Sequence, residues 1–596
     1  MPSYKAPLED IRFILNEVID AGSLAQLPGY AEATNETVSS ILDEAGKICE
    51  EVLFPLNQPG DGEGCKFDNG NVKTPQGFKE AYKTFRESGW TGLSCKTEYG
   101  GQGLPLLLNF VIDELVCSAN LSFGMYPGLS HGAYNALDKH GTDELKKLFV
   151  PKLTDGTWTG TMCLTEPQCG TDLGLVRTKA EPQGDGSYKL SGTKIFISAG
   201  EHDLAENILH LVLARLPDAP PGIKGISLFL VPKFLLKADG SVGERNKVAC
   251  GSIEHKMGIK ASATCVINFD GATGWLVGKP NKGMSGMFTM MNEARLMVGI
   301  QGLGLAEVAY QNAVIYAKER LQGRALTGAK FPDKPADPII VHPDVRKNLL
   351  TMKSLIEGSR ALACWVGREL DIEAKHPDEK VRAASADLVA LLTPIIKAFL
   401  TDVGFDVTNL AMQIYGGHGY IWDNGVEQYA RDARIAQIYE GTNGIQALDL
   451  VGRKMAEDYG RLMRQFFHPV VAFLAAEKDN KDLAEMLPYF MSAFGKLQMS
   501  TITIATHGFG NPDEAGAAAS DYLRLFAYVA VGFMWLKMAK VAAAKLPTAG
   551  DRKAFYEVKL KTARFYFAKI MPQVNALNLA ILGGAKPLMD FPVEGF

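Results

Sequence analysis

Between Gln413 and Gln446 the chain reads QIYGGHGYIWDNGVEQYARDARIAQIYEGTNGIQ, and one carboxylate in it, Glu440, is placed to act as a base. Ile438 and Tyr439 precede it and can shield it from water. Gly441, Thr442, Asn443 and Gly444 follow it as a turn whose amides can meet a ligand. A carboxylate withdrawn from water has a raised pKa and becomes a stronger base. The same residues also read as a surface glutamate leading into a helix that starts near Ile445, and local physics alone does not separate the two.

Two other segments could receive a flat, polar ligand. In MCLTEPQCGTDL, Met162 to Leu173, the residues Thr165, Glu166 and Pro167 make a rigid turn, while Gly170 and Thr171 offer backbone amides and a hydroxyl. In TKIFISAG, Thr193 to Gly200, strand alternation puts Phe196 and Ser198 on one face, an aromatic surface beside a hydroxyl. A strand entering a turn and ordinary core packing explain the same residues without a ligand. There is no GxxxxGK[ST] phosphate loop. Gly302 and Gly304 in QGLGLAEVA imitate part of a dinucleotide fingerprint, but they follow no strand and read better as a close helix contact. His418 in GGHGY reads as a packing or hydrogen-bonding residue before it reads as an acid or base.

The elements that must carry these residues follow from the apolar period. Helical spacing runs from Leu8 to about Leu153, as in FKEAYKTFRESGW, and defines an N-terminal arm and helical domain over 1–158. Short β-branched and aromatic runs bounded by turns, such as NILHLVLARL and GISLFLVPKF, define a middle β domain over 159–282. Long helical segments return over 283–452 as a bundle, and 453–596 reads as an appended helical domain. The fold class is α+β.

At 596 residues, with 46% hydrophobic and 22% charged residues, the chain can bury several cores and carries no disordered tract. A net charge of −5 offers no field for nucleic acid. Nine scattered cysteines without a CxxC pair or a histidine cluster point to free thiols, a cytoplasmic setting and no metal. The N-terminus lacks a basic leader. The apolar run Leu525–Leu536 is too short to span a bilayer and reads as a buried helix, so no membrane span is expected. Arg552 to Lys569, basic with interleaved aromatics, reads as an amphipathic helix with a solvated Lys/Arg face.

Taken in order, EYGGQG (Glu98–Gly103), MCLTEPQCGTD, GTKIFIS, KMGIKAS (Lys256–Ser262), NEAR (Asn292–Arg295), YAKER (Tyr316–Arg320), QIYGGHGY and RDARIAQIYEGT resemble the acyl-CoA dehydrogenase family over roughly Gly89 to Val451. The resemblance implies an acyl-CoA dehydrogenase-like fold and an FAD-dependent oxidation of an acyl-CoA thioester to its trans-2-enoyl product. It places Met162, Leu164, Thr165, Gly170 and Thr171 along the flavin, with Thr171 also near the substrate's pantetheine arm. Phe196 and Ser198 flank the isoalloxazine. Arg320, Gln322, Gln413 and Gly417 reach the FAD of a neighbouring subunit, so a homo-oligomer of at least two chains is implied. Glu440 matches the catalytic base, Thr442 the FAD phosphate contact and Arg295 a residue beside the substrate entrance. Electron-transferring flavoprotein is the implied acceptor; an oxygen-using acyl-CoA oxidase and a flavin-containing binding protein are the competing readings.

The departures from the family pattern are also informative. Some relatives carry the base just before the Arg of the NEAR-type motif, and here that position is Ala294. Glu293, one residue back, is expected to be a solvated or capping carboxylate. Phe196 stands where a Trp is common, Gly323 where an aromatic usually follows the Arg motif, and Gly444 where a Gln often meets FAD. The added C-terminal length and N-terminal arm resemble the family's long-form group, which includes 3-(methylthio)propanoyl-CoA and broad-range fatty acyl-CoA dehydrogenases.

Overall fold

Helix-period apolar residues fold as α1 (Leu8–Phe13), α2 (Asn35–Ile48), α3 (Leu106–His140) and α4 (Asp143–Thr154) in the computed structural model, which describes residues 2–596. α4 begins where Thr142 accepts a hydrogen bond from the Leu145 amide at 3.3 Å, with Asp143 and Glu144 in the first turn, where the helix dipole favours negative charge. Strands then dominate: β1 (Trp158–Cys163), β2 (Lys179–Pro182), β3 (Tyr188–Ser198), β4 (Asn207–Arg215), β5 (Ile226–Pro232), β6 (Val248–Ile253) and β7 (Thr264–Val277). Helices resume as α5 (Gly283–Glu319), α6 (Pro343–Lys375), α7 (Glu379–Tyr415), α8 (Glu427–Arg434) and α9 (Asn443–Asp449). The appended region folds as α10 (Arg461–Glu477), α11 (Leu487–Gly510), α12 (Pro512–Lys545), α13 (Lys553–Phe565) and α14 (Gln573–Leu582). The chain divides into two compact units, one of Lys47–Leu104 with Leu115–Met297, the other of Met1–Gly46, Pro105–Glu114 and Val298–Phe596.

The first of these units holds a seven-stranded sheet in the order β6-β7-β3-β2-β4-β1, with β5 bonded to both β7 and β4. β7, β3, β2, β4 and β5 therefore close a ring, and closure removes their free edges. β4 is buried nearly throughout because its alternate side chains enter different cores. Leu209, Leu211 and Leu213 pack with Phe149 and Trp158, whereas Val212 and Ala214 pack with Ile197, Phe229 and Ile267. Burial on both faces accounts for the strand's largely apolar sequence, which is interrupted by the buried His210, 2.8 Å from the Thr161 hydroxyl. β3 is irregular near its end. β3 pairs Ile197 with Cys265 but Lys194 with Ile267, so β3 carries an extra residue, and Phe196 takes a left-handed φ of 58°.

The second unit is helical. α6 and α7 pack side by side, and α5 approaches α7 so closely that a Cβ on Gly302 would lie 2.4 Å from the Leu400 carbonyl oxygen. That close contact is the role the sequence suggested for Gly302. The apolar run Leu525–Leu536 is buried inside α12, whose full length is 34 residues, well beyond the apolar run itself. α12 is one of three helices among the described residues long and apolar enough to cross a membrane, yet 83% of its apolar window is buried within the protein. Trp535 donates its indole N–H to the Ser354 carbonyl at 2.9 Å and fits over Gly358, where a Cβ would come within 2.6 Å of the indole nitrogen.

A buried network of charges runs through this unit. The Arg360 guanidinium, 1% exposed, bonds Glu114 at 2.6 and 2.8 Å and also holds Asp10 and Glu307. Lys559 of α13, 2% exposed, binds the same Asp10 and reaches Glu357 at 2.8 Å; Lys353 closes the circuit on Glu357. The basic face of α13 is therefore not wholly solvated as expected, since its central lysine points into the core. Burial alone would raise the Asp10 pKa, but Lys559 and Arg360 reverse this and bring it down to about 2. Removing one member of such a network strands its buried partners. Lys559→Met is expected to cost about 3–5 kcal/mol in urea unfolding, whereas replacing the exposed Lys561 in the same helix is expected to cost less than about 0.5 kcal/mol.

Candidate active site

Glu440 sits in a turn between α8 and α9 whose backbone is unusual. Its φ is 56° and that of Gly441 is 80°, two consecutive left-handed residues. A side chain there costs about 1–3 kcal/mol, so the surrounding bonds must enforce it. Before the turn, the Tyr439 hydroxyl donates to the Gln301 side-chain oxygen and Gln437 donates to Asp402 at 2.8 Å. After it, Thr442 caps α9 by accepting from the Ile445 amide at 3.3 Å. Asn443 is fastened to α7, accepting from Lys397 at 2.9 Å and donating to Asp402 at 2.8 Å and to the Ala398 carbonyl at 3.1 Å. α9 thus starts at Asn443 rather than near Ile445, because a threonine cap and the asparagine anchor precede the apolar residue. Glu440 is half-buried, but the expected shield is incomplete, since Ile438 is 47% exposed.

The other residues expected here in the helical unit lie at its surface. Arg320 and Gln322 are exposed just beyond the end of α5, in a strap whose Leu321 bridges Pro338; the Ile339 amide donates to the Arg320 carbonyl at 2.8 Å. Gln413, in the last turn of α7, and Gly417, in the following tight turn, are also exposed. His418 accepts or donates at Nδ1 with the Tyr316 hydroxyl, 2.9 Å away, and sets its ring edge-on to Tyr316, which stacks on Tyr415 at 4.1 Å. A hydrogen-bonding role for His418 is thereby visible.

In the sheet-bearing unit, Met162 lies near the end of β1 and Leu164 and Thr165 just beyond it, all half-buried, while Gly170 and Thr171 are exposed. Their loop is built on an ion pair that sequence reasoning missed. Lys194, fully buried, donates to Glu166 at 2.8 Å and to the Leu164 carbonyl at 2.9 Å. Glu166 also accepts from the Thr178 hydroxyl at 2.6 Å and from the Arg177 and Thr178 amides at 2.7 and 3.0 Å. Burial would raise its pKa, but Lys194 and these hydrogen bonds bring it down to about 2. The turn Glu166–Cys169 closes by paired backbone bonds of 2.9 and 3.0 Å. The Ile195 amide then donates to the Thr165 carbonyl at 2.9 Å, linking this loop to the bulge at Phe196. Phe196 is 59% exposed, and its left-handed backbone breaks the simple alternation that would have set it on one face with the half-buried Ser198. Bulges re-aim side chains in this way beside functional sites.

Two expectations on α5 need correction or refinement. Glu293 is not a solvated carboxylate: it accepts from His131 Nδ1 and from Asn135, both on α3, and its side chain is mostly buried. The His131 Nε2 in turn contacts the Ser94 hydroxyl at 2.8 Å. Burial would strip the imidazole of its proton, but Glu293 outweighs that and holds its pKa well above the ordinary value. His131 and Asn135 of α3 thus hold Glu293 of α5 and fasten the two helices to each other. Arg295, expected beside a substrate entrance, is 8% exposed.

Two measurements follow. The Glu166 carboxyl titrates lower in the folded chain than its ordinary 4.5, so its stabilisation is complete above that value and fades as pH falls towards about 2. The stability gap between the wild type and Glu166→Gln, read by urea unfolding, should therefore narrow steadily from pH 5 to pH 2.5; a constant gap would contradict the pairing. A Cβ at Gly441 would lie 2.7 Å from the Gln446 amide nitrogen in a backbone already left-handed. Gly441→Ala is expected to lower stability by about 1–3 kcal/mol.

Models of the acyl-CoA dehydrogenase N-terminal, middle and C-terminal domains match residues 35–157, 161–272 and 281–455, and an acetyl-CoA dehydrogenase C-terminal-like model matches 466–592. The chain is 43% identical to the 3-methylmercaptopropionyl-CoA dehydrogenase of Ruegeria pomeroyi, over 96% of this chain and 97% of that one. It is 36% identical to a butyryl-CoA dehydrogenase of Syntrophomonas wolfei, over 100% and 99% of the two. The crystal structure of Caenorhabditis elegans ACDH-11 in complex with C11-CoA shares the fold at a TM-score of 0.76 and 20% identity, covering 95% of this chain and 91% of that one. Four matched domains and full-length identity above a third establish that the chain belongs to the acyl-CoA dehydrogenase family.

Proposed function

We propose that this FAD-dependent member of the family oxidises a short or medium acyl-CoA thioester, 3-(methylthio)propanoyl-CoA foremost, to the trans-2-enoyl-CoA, with Glu440 as the base. The observation that carries the reading is Glu440 itself, a half-buried carboxylate held in a strained left-handed turn by bonds on both sides. Strain of that kind in a non-glycine residue clusters at functional sites. Ala294 at the alternative position leaves Glu440 without a rival. The relative acting on 3-methylmercaptopropionyl-CoA supports the substrate assignment, and the butyryl-CoA relative supports a short acyl chain.

The residues present suit FAD. The exposed, re-aimed Phe196 provides an aromatic surface, the half-buried Ser198 a hydroxyl, and the exposed Gly170–Thr171 loop stands on the rigid Glu166–Lys194 pair. Met162, Leu164, Thr165, Gly170, Thr171, Phe196 and Ser198 of the sheet-bearing unit would hold the cofactor, with Thr442 on its phosphates. Arg320, Gln322, Gln413 and Gly417, all exposed on the helical unit, would serve a neighbouring chain's cofactor in a homo-oligomer. When bound, FAD supplies the acceptor for the hydride leaving the β-carbon.

Glu440 removes the α-proton, which is acidified by the thioester carbonyl. Its backbone N–H donates to the thioester oxygen as enolate character develops. Thr171 and Arg295 contact the substrate. A substrate that displaces water around Glu440 makes its carboxylate more basic as the reaction begins. Electron-transferring flavoprotein takes the electrons on, and a cytoplasmic setting accords with nine free cysteines.

Anaerobic bleaching of the flavin by acyl-CoAs of graded length, the methylthio-propanoyl thioester included, tests activity and chain preference together. Glu440→Gln should retain flavin and substrate yet lose about 10²–10⁴-fold in reduction rate; near-normal turnover would end the base assignment. Peroxide formed in step with enoyl-CoA without an added acceptor would indicate an oxidase, and no bleaching by any thioester would indicate a binding protein.

A further inference from the structure

The turn that carries Glu440 is closed from beneath by one side chain, Gln446, in the first turns of α9. Gln446 is fully buried, and its amide nitrogen lies 3.2 Å from the Glu440 carbonyl oxygen and 3.2 Å from the Gly441 carbonyl oxygen. Its backbone amide donates to the Thr442 carbonyl at 3.0 Å, which fixes the side chain's origin on the helix. The amide has one orientation only, because turning it over would set its oxygen against two carbonyl oxygens. That orientation leaves the Gln446 side-chain oxygen buried without a hydrogen-bond partner. An orphaned buried acceptor is destabilising, and an apolar side chain of the same size would avoid that cost. What only an amide supplies here is the pair of bonds to the residues at φ 56° and 80°.

Those two bonds also set the direction of two donors. A trans peptide unit points its N–H opposite to its C=O. Holding the Glu440 and Gly441 oxygens towards Gln446 therefore directs the Gly441 and Thr442 amide hydrogens away from it. Neither amide donates a hydrogen bond among the described residues. One buried side chain thus fixes the backbone from which the Glu440 carboxylate springs and aims two adjacent N–H groups outwards.

We infer that Gln446 is a positioning residue for the reaction: its buried amide holds the left-handed Glu440–Gly441 turn, and through it the base and the neighbouring N–H donors, in the reactive arrangement. The inference rests on Glu440 being the base. Tyr439, Asn443 and Gln437 anchor the flanks of the turn, whereas Gln446 bonds both of its central carbonyls.

The test uses the flavin-loaded protein. Gln446→Met keeps the volume and removes both donor bonds, so the anaerobic flavin reduction rate is expected to fall at least tenfold, with KM changing less than threefold and flavin content unchanged. In a Glu440→Gln background the same substitution is expected to cost less than threefold further, because positioning a base has no value once the base is gone. A Gln446→Met rate within twofold of the wild type, or a full additional loss in the Glu440→Gln background, would overturn the inference. Should Gln446→Met not fold, Gln446→Glu supplies the answer. Its carboxylic acid can donate one bond when protonated and none when ionised, so its rate relative to wild type should rise several-fold from pH 8 to pH 5.5; a flat ratio would overturn it. Normal turnover by Glu440→Gln would instead remove the base reading itself, so the two failures are distinct.

Discussion

A guanidinium placed in a protein core must be surrounded by acceptors or it will not stay there, and Arg360 obliges distant stretches of the helical unit to meet. Asp10 comes from the N-terminal arm, Glu114 from the start of α3 and Glu307 from α5, each contributing a carboxylate to one side chain on α6. Lys559 then brings α13 to the same Asp10. Hydrophobic burial would draw these helices together in many registers. The charges select one, because a helix slipped by a single turn would leave an ion without its partner in a medium that cannot solvate it. Whether such a network adds net stability is a separate matter from the specificity it imposes.

The same economy of design recurs around the candidate site, where polar side chains fix irregular backbone that helix and strand hydrogen bonding cannot reach. Glu166 and Lys194 support the Leu164–Thr178 loop in one unit; Gln446, Asn443 and Tyr439 support the Glu440 turn in the other. Each unit contains a non-glycine residue in left-handed conformation at a position singled out for its chemistry, Phe196 and Glu440. Both are held by neighbours that are themselves buried or hydrogen-bonded, which is how a protein keeps a side chain aimed without relying on a regular element.

Much of this was legible in the sequence, and the reasons differ by level. The three kinds of segment, helical, β and helical, follow from apolar period, and the buried role of Leu525–Leu536 follows from its composition. The close approach at Gly302 follows from a glycine inside a helical pattern. The tertiary bonds were not legible. Glu293 looked solvated because its partners His131 and Asn135 lie about 160 residues earlier, and only packing of α3 against α5 brings them together. Lys559 looked like part of a solvated face because helical period cannot say that one position of a basic stripe meets an aspartate from the other end of the chain. The bulge at Phe196 was hidden because strand alternation assumes that every residue takes part in the ladder. Gln446 could have been noticed had the helix been started at Asn443, which places that glutamine beneath the preceding turn.

The left-handed backbone at residues 440 and 196 sets stability and chemistry against each other. Glycine is the residue that backbone prefers, so exchanging either side chain for a hydrogen atom would relieve strain and yield a sturdier molecule. A search that ranks variants of this protein by heat resistance alone would therefore be drawn towards erasing its candidate base and its exposed aromatic ring.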